Sequence, residues 1–352
     1  MAITIELRKK TPPPGVDLGS GWMKVVALGL HRRKPTLHRI GRVPLAIGDM
    51  DKGEKAAERL AELWRQLGVR ERSVVSAMTG HAVIVKKVTV TDEAAADMER
   101  FLAREAKQYI PFDLQDVYID HQHLGPGPKE GTKDVLLVAS KKREVDERVA
   151  ILTRAGLEVR VVDVDAFALN NCFEYNYPEM LDRPHYLLDI GGQLSVFCVV
   201  WNKQLVFHRE LSLGGHQLTD RLAKLLNRSR AECEKLKING PGELPATEQA
   251  VVVDELNDAL VAWAGEVRRL IGFYQGSVNE AKPAETMYLS GGGSLLPGLP
   301  ARLSRELELD VRHLDPWRKL EPDKDQFDME YLRSIGPQYA VAAGLALREV
   351  LP

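Results

Sequence analysis

Residues 16–28 read VDLGSGWMKVVAL, and residues 188–200 read LDIGGQLSVFCVV. Each stretch places an aspartate between two apolar residues, then a glycine and a small residue, and then a second apolar run. An apolar run that is broken by glycines is typical of two strands joined by a tight turn. Because the two copies stand nearly half a chain apart, the repeat predicts two related lobes, each of which begins with a β-hairpin.

The composition of both turns suits phosphate groups, because small residues let backbone N–H groups approach an anion closely. Two such turns facing each other would hold the β- and γ-phosphates of a nucleotide. Either copy alone could be an ordinary turn, since short glycine motifs are common. The candidate phosphate contacts are Gly19, Ser20 and Gly21 in the first turn and Gly191, Gly192 and Gln193 in the second.

The aspartates that precede the turns, Asp17 and Asp189, predict a magnesium site. Carboxylate oxygens are the ligands that Mg²⁺ prefers, and the ion usually keeps several waters, so contact through water is compatible with this prediction. Lys24 follows on the second strand, where its ammonium group would neutralise phosphate charge. The expected cofactors are therefore ATP and Mg²⁺.

Two further glycine clusters extend the candidate site. Residues 288–294 read YLSGGGS, so a strand enters Gly291, Gly292 and Gly293 before Pro297 and a helix. These glycines would let the backbone approach the adenine, the ribose or the α-phosphate, with help from the helix N-terminus. A glycine-rich turn between strand and helix explains them equally. Gly214 and Gly215 open another helix and are added to the candidate nucleotide contacts.

Composition narrows the classes of function. The 352 residues carry a net charge of −2, which gives no electrostatic footprint for nucleic acid. Three scattered cysteines form no disulfide or zinc pattern, so a reducing compartment fits better. The opening MAITIELRKKTPPPG lacks the apolar run and cleavage site of a secretory signal. No run approaches the roughly 18 apolar residues of a membrane span, so we expect any membrane role to depend on a partner.

Taken together, these motifs resemble the superfamily of actin, sugar kinases and DnaK chaperones. DLGSGWMK and DIGGQLS are similar to its two phosphate loops, and YLSGGGSLLPGL is similar to its adenosine loop. The resemblance implies an α/β chain with the actin-like two-lobed ATPase fold of duplicated ribonuclease-H-like domains. Glu234 and Lys237 match the E-x-x-K helix that flanks the adenosine in several relatives and become candidate contacts, although an exposed helix face explains them equally well.

A narrower resemblance covers almost the whole chain. EAKQYIPFDLQDVYIDHQ, FHRELSLGGHQLTDRLAKLL and the ending QYAVAAGLALRE are similar to the type IV pilus assembly ATPases called PilM. This resemblance implies a cytoplasmic scaffold with ATP between its lobes. It also implies a groove, beside an extra subdomain, for the N-terminal peptide of PilN, a bitopic inner-membrane protein. The chain would thus reach the membrane only through that partner. Pilus motor ATPases and further copies of the chain are additional candidate partners.

The resemblance and the strand pattern give a division of the chain. The order strand–helix–strand–strand–helix–strand predicts an α+β subdomain inserted into the first lobe. We expect a second lobe with a smaller subdivision at about 216–285. The predicted segments are 1–82 (first lobe), 83–160 (inserted subdomain), 161–185 (first lobe, continued), 186–330 (second lobe) and 331–352 (a C-terminal helix that returns to the first lobe).

Hydrolysis requires a residue that positions water at the γ-phosphate. Asp165 occupies the position of the acidic residue that does so in chaperone relatives, and it is our catalytic candidate, although it could instead cap the next helix. Gln193 stands where chaperones carry a third glycine, and its side chain either reaches the nucleotide or narrows the room for water. We therefore expect slow turnover at most, with ATP mainly holding the lobes closed.

Three functions compete. The preferred one is the pilus scaffold. A polymerising relative of the division protein FtsA is less favoured, because the ending LALREVLP offers no separate amphipathic tail. A small-molecule kinase is also less favoured, because no substrate-binding elaboration is identified. His121 and His123 lie two apart on a predicted strand, where a metal site and a solvated face are both compatible with the spacing.

Overall fold

The computed structural model describes residues 11–32, 34–46, 48–80, 82–278, 281–322 and 326–351. Residues 1–10, on which our expectation about a secretory signal rests, lie outside this description. Across the described ranges, no helix is long and apolar enough to cross a membrane.

Two five-stranded sheets share one topology. The strands are β1 (Gly15–Leu18), β2 (Trp22–His31), β3 (Lys34–Pro44), β4 (Ser73–Met78), β5 (Val83–Thr91), β6 (Val117–Pro126), β7 (Thr132–Lys141), β8 (Glu158–Val164), β9 (His185–Ile190), β10 (Ser195–Trp201), β11 (Gln204–Leu211), β12 (Thr286–Ser290) and β13 (Asp310–His313). The first sheet has the order β3-β2-β1-β4-β8, and the second has the order β11-β10-β9-β12-β13. In each sheet a three-stranded antiparallel meander is extended by two parallel strands.

The predicted repeat corresponds to the first hairpin of each sheet. In the first sheet, Asp17 on β1 lies opposite Lys24 on β2. In the second sheet, Asp189 on β9 lies opposite Val196 on β10. Both aspartates therefore stand at the carboxyl end of a central strand, just before a glycine turn.

The helices pack around these sheets. They are α1 (Asp49–Lys52), α2 (Glu54–Leu67), α3 (Asp92–Ala96), α4 (Met98–Glu105), α5 (Lys142–Arg154), α6 (Asp165–Asn176), α7 (Gly215–Leu226), α8 (Arg230–Asn239), α9 (Ala246–Ser277), α10 (Leu299–Leu307), α11 (Met329–Ile335) and α12 (Ala340–Leu347). Short 3-10 turns cover Ala106–Gln108, Leu114–Asp116, Pro178–Met180, Gly292–Leu295 and Gly336–Tyr339.

One predicted helix is broken. The amphipathic pattern of residues 92–109 predicts a single helix, but the structure has α3 and α4 separated at Asp97. The Thr91 hydroxyl accepts a hydrogen bond from the Ala94 amide, and the Asp97 carboxylate accepts one from the Arg100 amide. Two capping side chains therefore start two helices in succession, because each satisfies backbone donors that a continuous helix would have to bond itself.

The inserted sheet has the order β5-β7-β6 and covers residues 83–141. The elements that follow belong elsewhere. Ile151 and Leu152 of α5 share a hydrophobic core with Leu60 and Trp64 of α2, and β8 pairs along β4. We therefore propose that the inserted subdomain ends near residue 141, whereas the sequence pattern predicts residue 160.

The last helix closes the first lobe. α12 packs against β1 and α6. A Cβ atom at Gly344 would overlap the carbonyl oxygen of Ala168 on α6, and one at Gly15 would overlap that of Ala342 on α12. These two glycines let helix, strand and helix approach more closely than any larger residue would allow.

Candidate functional site

The two glycine turns meet between the lobes. The Gln193 amide donates a hydrogen bond of 3.1 Å to Ser20 Oγ. A Cβ atom at Gly192 would lie 2.7 Å from the same hydroxyl oxygen. The turns therefore face each other across a gap that only small residues allow, as the sequence repeat predicts.

Charged side chains converge behind the turns. Lys24 Nζ lies 2.6 Å from Asp17 Oδ2, and both side chains are 12% exposed. On the other lobe, the Ser290 hydroxyl donates a hydrogen bond of 2.7 Å to Asp189 Oδ1. Burial by itself would lower the pKa of Lys24, but Asp17, with further contributions from Asp189 and Asp165, raises it above its usual value. The carboxylates of both lobes therefore share one cleft with this ammonium group.

The same convergence raises the pKa of two carboxyl groups. Burial, and then the charge of Asp17, raise the pKa of Asp165 to about 8, while Arg148 and Lys24 oppose the rise. Burial, together with Asp17, raises the pKa of Asp189 to about 6, against its hydrogen bond from Ser290 and the charge of Lys24. Raised pKa values mean that the ionised carboxylates are destabilised in this cleft, and a bound cation would stabilise them.

Asp165 and Asp163 occupy different environments. Val164 is the N-cap residue of α6 and offers no capping side chain, and Asp165 is the first residue of the helix, at the cleft. Asp163 is buried and accepts hydrogen bonds from the Val164 amide and from Arg348 Nη1, 2.6 Å away. Asp163 therefore serves the packing of the first lobe, whereas Asp165 is the acidic group that faces the paired aspartates.

The predicted contacts Gly214 and Gly215 support the second turn. The Gly215 amide donates to the Gly191 carbonyl at 3.0 Å, and the His216 amide donates to the Gly192 carbonyl at 2.8 Å. A Cβ atom at Gly214 would overlap the Gly192 carbonyl oxygen. The start of α7 thus fixes two carbonyls of the turn, whereas the Gly191 amide bonds the Leu194 carbonyl within the turn and the Gln193 amide bonds Ser20 of the opposite lobe.

The three glycines after β12 differ in their surroundings. A Cβ atom at Gly291 or Gly293 would overlap Ile190, and the Gly291 amide donates to the Pro337 carbonyl at 2.9 Å. Gly292 has open space where its side chain would be. Two of the glycines are therefore explained by packing, and Gly292 is the one with room for a ligand.

Glu234 and Lys237 join α8 to α7. Lys237 Nζ donates to the Gly215 carbonyl at 3.1 Å, to Thr219 Oγ1 at 3.0 Å and to Glu234 Oε2 at 2.6 Å. Glu234 also accepts from the Thr219 hydroxyl. An ammonium group has three donors, so a nucleotide contact from Lys237 would require one of these bonds to open.

The sequence patterns did not predict three residues of the site. Arg148 on α5 donates to the carbonyls of Leu18 and Ala77, at the ends of β1 and β4, and brings a positive charge near Asp165. Ser290 orients Asp189 and could have been suspected from its place before the triple glycine. His216, one residue after the Gly-Gly pair, lies against both turns.

A second contact between the lobes lies beyond the turns. Glu210, near the end of β11, accepts a hydrogen bond of 2.6 Å from the Gly80 amide, just after β4. Gly80 has a φ of +92°, a conformation that favours glycine. Its carbonyl accepts from the Val83 amide at 3.0 Å. The second lobe is thereby hydrogen-bonded to the turn that leads into the inserted sheet.

The donor set fits magnesium that arrives with a nucleotide. Across the described ranges, no three carboxylate, imidazole or thiolate groups are close enough to hold a metal by themselves. Asp17 and Asp189 could supply two carboxylates, and phosphate oxygens and waters would complete the shell that Mg²⁺ prefers. His121 and His123 lie side by side with ring centroids 5.6 Å apart, and within the described parts of the chain they belong to no such group.

A groove lies between the inserted sheet and the first lobe. We call it the subdomain groove, and it has a volume of about 420 Å³. Its floor is apolar and its rim is acidic. The apolar residues include Met78, Val83, Ile119, Val138, Val145 and Val149, and the rim includes Tyr118, Asp120 and Asp146. Ser140 lines the groove with a buried hydroxyl that has no hydrogen-bond partner among the residues that the structure describes, so a polar contact is available there.

Comparison with known proteins bears on the family and the fold of this chain. The sequence profile of the family "Type IV pilus assembly protein PilM" matches residues 15–350. The solved structure of a PilM-PilN type IV pilus biogenesis complex is 29% identical, with a TM-score of 0.85 over 97% of this chain and all of that chain.

More distant structures share the fold alone. The ethanolamine utilization protein EutJ of Carboxydothermus hydrogenoformans is 15% identical, with a TM-score of 0.56 over 97% of this chain and 93% of its own. MreB5 of Spiroplasma citri bound to ADP is 12% identical, with a TM-score of 0.52 over 97% of each chain. The predicted actin-like fold and the resemblance seen in the sequence are both confirmed.

Proposed function

The chain belongs to the family of type IV pilus assembly protein PilM, and from this premise we propose that it is a nucleotide-binding scaffold of the pilus assembly machinery. It holds ATP with Mg²⁺ between its lobes, and it binds the N-terminal cytoplasmic peptide of a PilN-like inner-membrane protein. Its place is the cytoplasm, at the inner membrane through that partner. Pilus motor ATPases and other copies of the chain remain candidate partners.

One observation carries the nucleotide site: Asp17, Lys24, Asp165 and Asp189 converge from both lobes behind two facing glycine turns. Phosphate oxygens would accept hydrogen bonds from the turn amides of both lobes. The ammonium group of Lys24, which contacts Asp17, would then also neutralise the charge of the phosphates. The Gln193 amide now bonds Ser20, so a phosphate placed between the turns would replace that hydrogen bond. Nucleotide binding would therefore act at one of the contacts that join the lobes.

Magnesium would neutralise phosphate charge and be held by Asp17 and Asp189, directly or through water. We propose that Asp165 accepts a proton from water, because its carboxyl group lies near Asp17 and Asp189 and its pKa is raised to about 8. The side chain of Gln193 occupies the second turn where a third glycine would leave room. We propose slow hydrolysis at most, so that binding, rather than turnover, sets the lobe arrangement.

We propose that the partner peptide occupies the subdomain groove. The apolar floor would bury aliphatic side chains, and the acidic rim of Asp120 and Asp146 would favour a basic residue in the peptide. The Ser140 hydroxyl, which bonds no other residue of the described chain, could bond the peptide backbone. The solved complex of a PilM with a PilN, 29% identical to this chain, supports this partner class.

The peptide site is tested by titrating a fluorescent peptide of the partner's N-terminus. Tyr118→Ala removes an aromatic side chain from the groove rim, where it is 49% exposed, and should weaken binding about tenfold. Tyr331→Ala is the matched control, because that tyrosine is 53% exposed on α11, outside the groove. Equal affinity of both variants would reject the groove.

A deletion gives a second test. Removing residues 83–160 would also remove β8, which pairs along β4 in the first sheet. The ends of residues 83–140 lie together instead, since the Lys141 amide donates to the Ala82 carbonyl at 3.1 Å. Replacing residues 83–140 with an Asn-Gly turn should abolish peptide binding and preserve nucleotide binding. Peptide binding that survives this replacement contradicts the assignment.

The nucleotide site is tested by calorimetric titration of ATP with and without Mg²⁺. Asp189→Asn should remove most of the gain in affinity that Mg²⁺ gives, whereas Asp163→Asn, two residues before Asp165 and buried against Arg348, should leave that gain unchanged. A phosphate-release assay completes the test. Brisk multiple turnover by the unaltered protein would refute the proposal of slow hydrolysis.

A further inference from the structure

His216 lies at the junction of the two phosphate turns. It is the second residue of α7 and belongs to the second lobe. A Cβ atom at Gly21, on the first lobe, would lie 3.0 Å from His216 Nε2, and one at Gly192 would lie 2.9 Å from the same ring. The Nε2–Cε1 edge of the imidazole therefore lies against both turns at once.

The surroundings leave the ring available for a ligand. Within the described parts of the chain, neither ring nitrogen of His216 makes a hydrogen bond, although its backbone amide is bonded to Gly192. Burial, and then the positive charge of Arg230, lower the pKa of His216. Lys237 acts in the same direction, while Glu234 and Asp220 oppose the change. A neutral imidazole carries one N–H donor and one acceptor nitrogen.

We propose that His216 donates a hydrogen bond to the terminal phosphate and thereby makes the site prefer a triphosphate to a diphosphate. This inference rests on the proposed nucleotide function and adds the residue that sets its specificity. The γ-phosphate is the group that would contact turns of both lobes, and His216 is already in contact with both. The same contact would let the second lobe respond to hydrolysis, because the imidazole loses its acceptor when the terminal phosphate leaves.

The experiment compares the affinities of ATP and ADP for three proteins in the presence of Mg²⁺. In His216→Ala the affinity for ATP should fall about tenfold, the value of one hydrogen bond to a charged acceptor, and the affinity for ADP should change less than about threefold. His216→Gln keeps a donor of similar reach and should recover most of the loss. Intact folding of each variant is checked by its ADP affinity.

A pH series adds a measurement that a packing role would not change. Lowering the pH stepwise from 7.5 favours the protonated His216 imidazole, which bonds phosphate more strongly, so the ratio of ATP to ADP affinity should rise more in the unaltered protein than in His216→Gln. This comparison also decides the matter if His216→Ala fails to fold.

Two results would overturn the inference: equal losses for ATP and ADP in His216→Ala, which would show that the ring only packs between the lobes, or parallel pH profiles for His216→Gln and the unaltered protein. Failure of the unaltered protein to bind any nucleotide would refute the proposed function itself, and His216 with it. The two failures are therefore distinguishable.

Discussion

Replacing Lys24 with methionine should lower the free energy of unfolding by about 3 kcal/mol at pH 8. The change removes the ammonium group that lies 2.6 Å from Asp17, in a pair whose side chains are both 12% exposed. Removal of one partner from a buried ion pair costs about 3–5 kcal/mol, because the other charge stays buried. We expect the lower end of that range, because carboxyl groups in this cluster can take up a proton instead.

The sign of the pH dependence follows from the same cluster. Without Lys24, the native state raises the pKa of its carboxyl groups further above their unfolded values, so it binds more protons than the unfolded state. Relative to the unaltered protein, the stability of the variant should therefore rise as the pH falls from 8 to 5.5. The deficit relative to the unaltered protein should shrink over that window.

Urea unfolding followed by circular dichroism at the two pH values measures both quantities. Lys203→Met is the matched control. Its lysine is 62% exposed and lies 3.8 Å from Glu174, so the loss should stay within about 1 kcal/mol. The double variant Lys24→Met/Asp17→Asn should regain part of the stability, which a double-mutant cycle will quantify. A cost for Lys24→Met no larger than that of the control, with no recovery in the double variant, would refute the reasoning.

Three further predictions concern the packing, the acid stability and the contact between the lobes. Gly344→Ala should destabilise the protein by 1–3 kcal/mol or more, since the new methyl group would overlap the carbonyl of Ala168, and thermal unfolding will measure it. Burial lowers the pKa of His185, so the folded state binds fewer protons than the unfolded state. The free energy of unfolding should therefore fall as the pH drops below about 6.5. A pH profile of stability that is flatter than that of a His185→Gln variant would contradict this prediction. Glu210→Ala loses the acceptor for the Gly80 amide, so hydrogen exchange of the amides in the turn at Gly80 should accelerate about tenfold. Glu210→Gln keeps an acceptor and should resemble the unaltered protein. Mass spectrometry of a peptide that covers this turn measures the exchange.

Local patterns predicted the parts of the fold that depend on neighbours in sequence. The paired hairpins of Asp17 and Asp189 were visible because aspartate, glycine and apolar strands alternate over a few residues. The apolar spacing of residues 54–67 and the glycine that follows them predict a helix with the bounds that α2 has in the structure. The break at Asp97 was missed because the amphipathic period continues through it, while the capping bonds that cause the break depend on side-chain geometry.

Sequence patterns do not show which helices and strands pack together in three dimensions. Strand β8 is as apolar as a strand of the inserted sheet would be, and nothing in its pattern says that it pairs with β4. Arg148 reaches the cleft from α5, a helix that the pattern assigned to the inserted subdomain. His216 acquires its position only when both turns are assembled. Residues that act across a lobe interface carry no periodic signal, so the structure was needed to find them.

The close packing of α12 on β1 and α6 has a consequence for the order of folding during synthesis. Residues 340–347 contribute to a hydrophobic core that also contains residues of both sheets, among them Val26 of β2 and Leu187 of β9, so that core cannot close until residues 340–347 have left the ribosome. The second sheet, in contrast, is built from one continuous stretch, residues 185–313, and has all its strands available earlier. Although the N-terminal part of a chain usually folds first, we therefore expect the second sheet to form before α12 covers β1 and α6, and we expect the nascent first lobe to expose apolar surface until then.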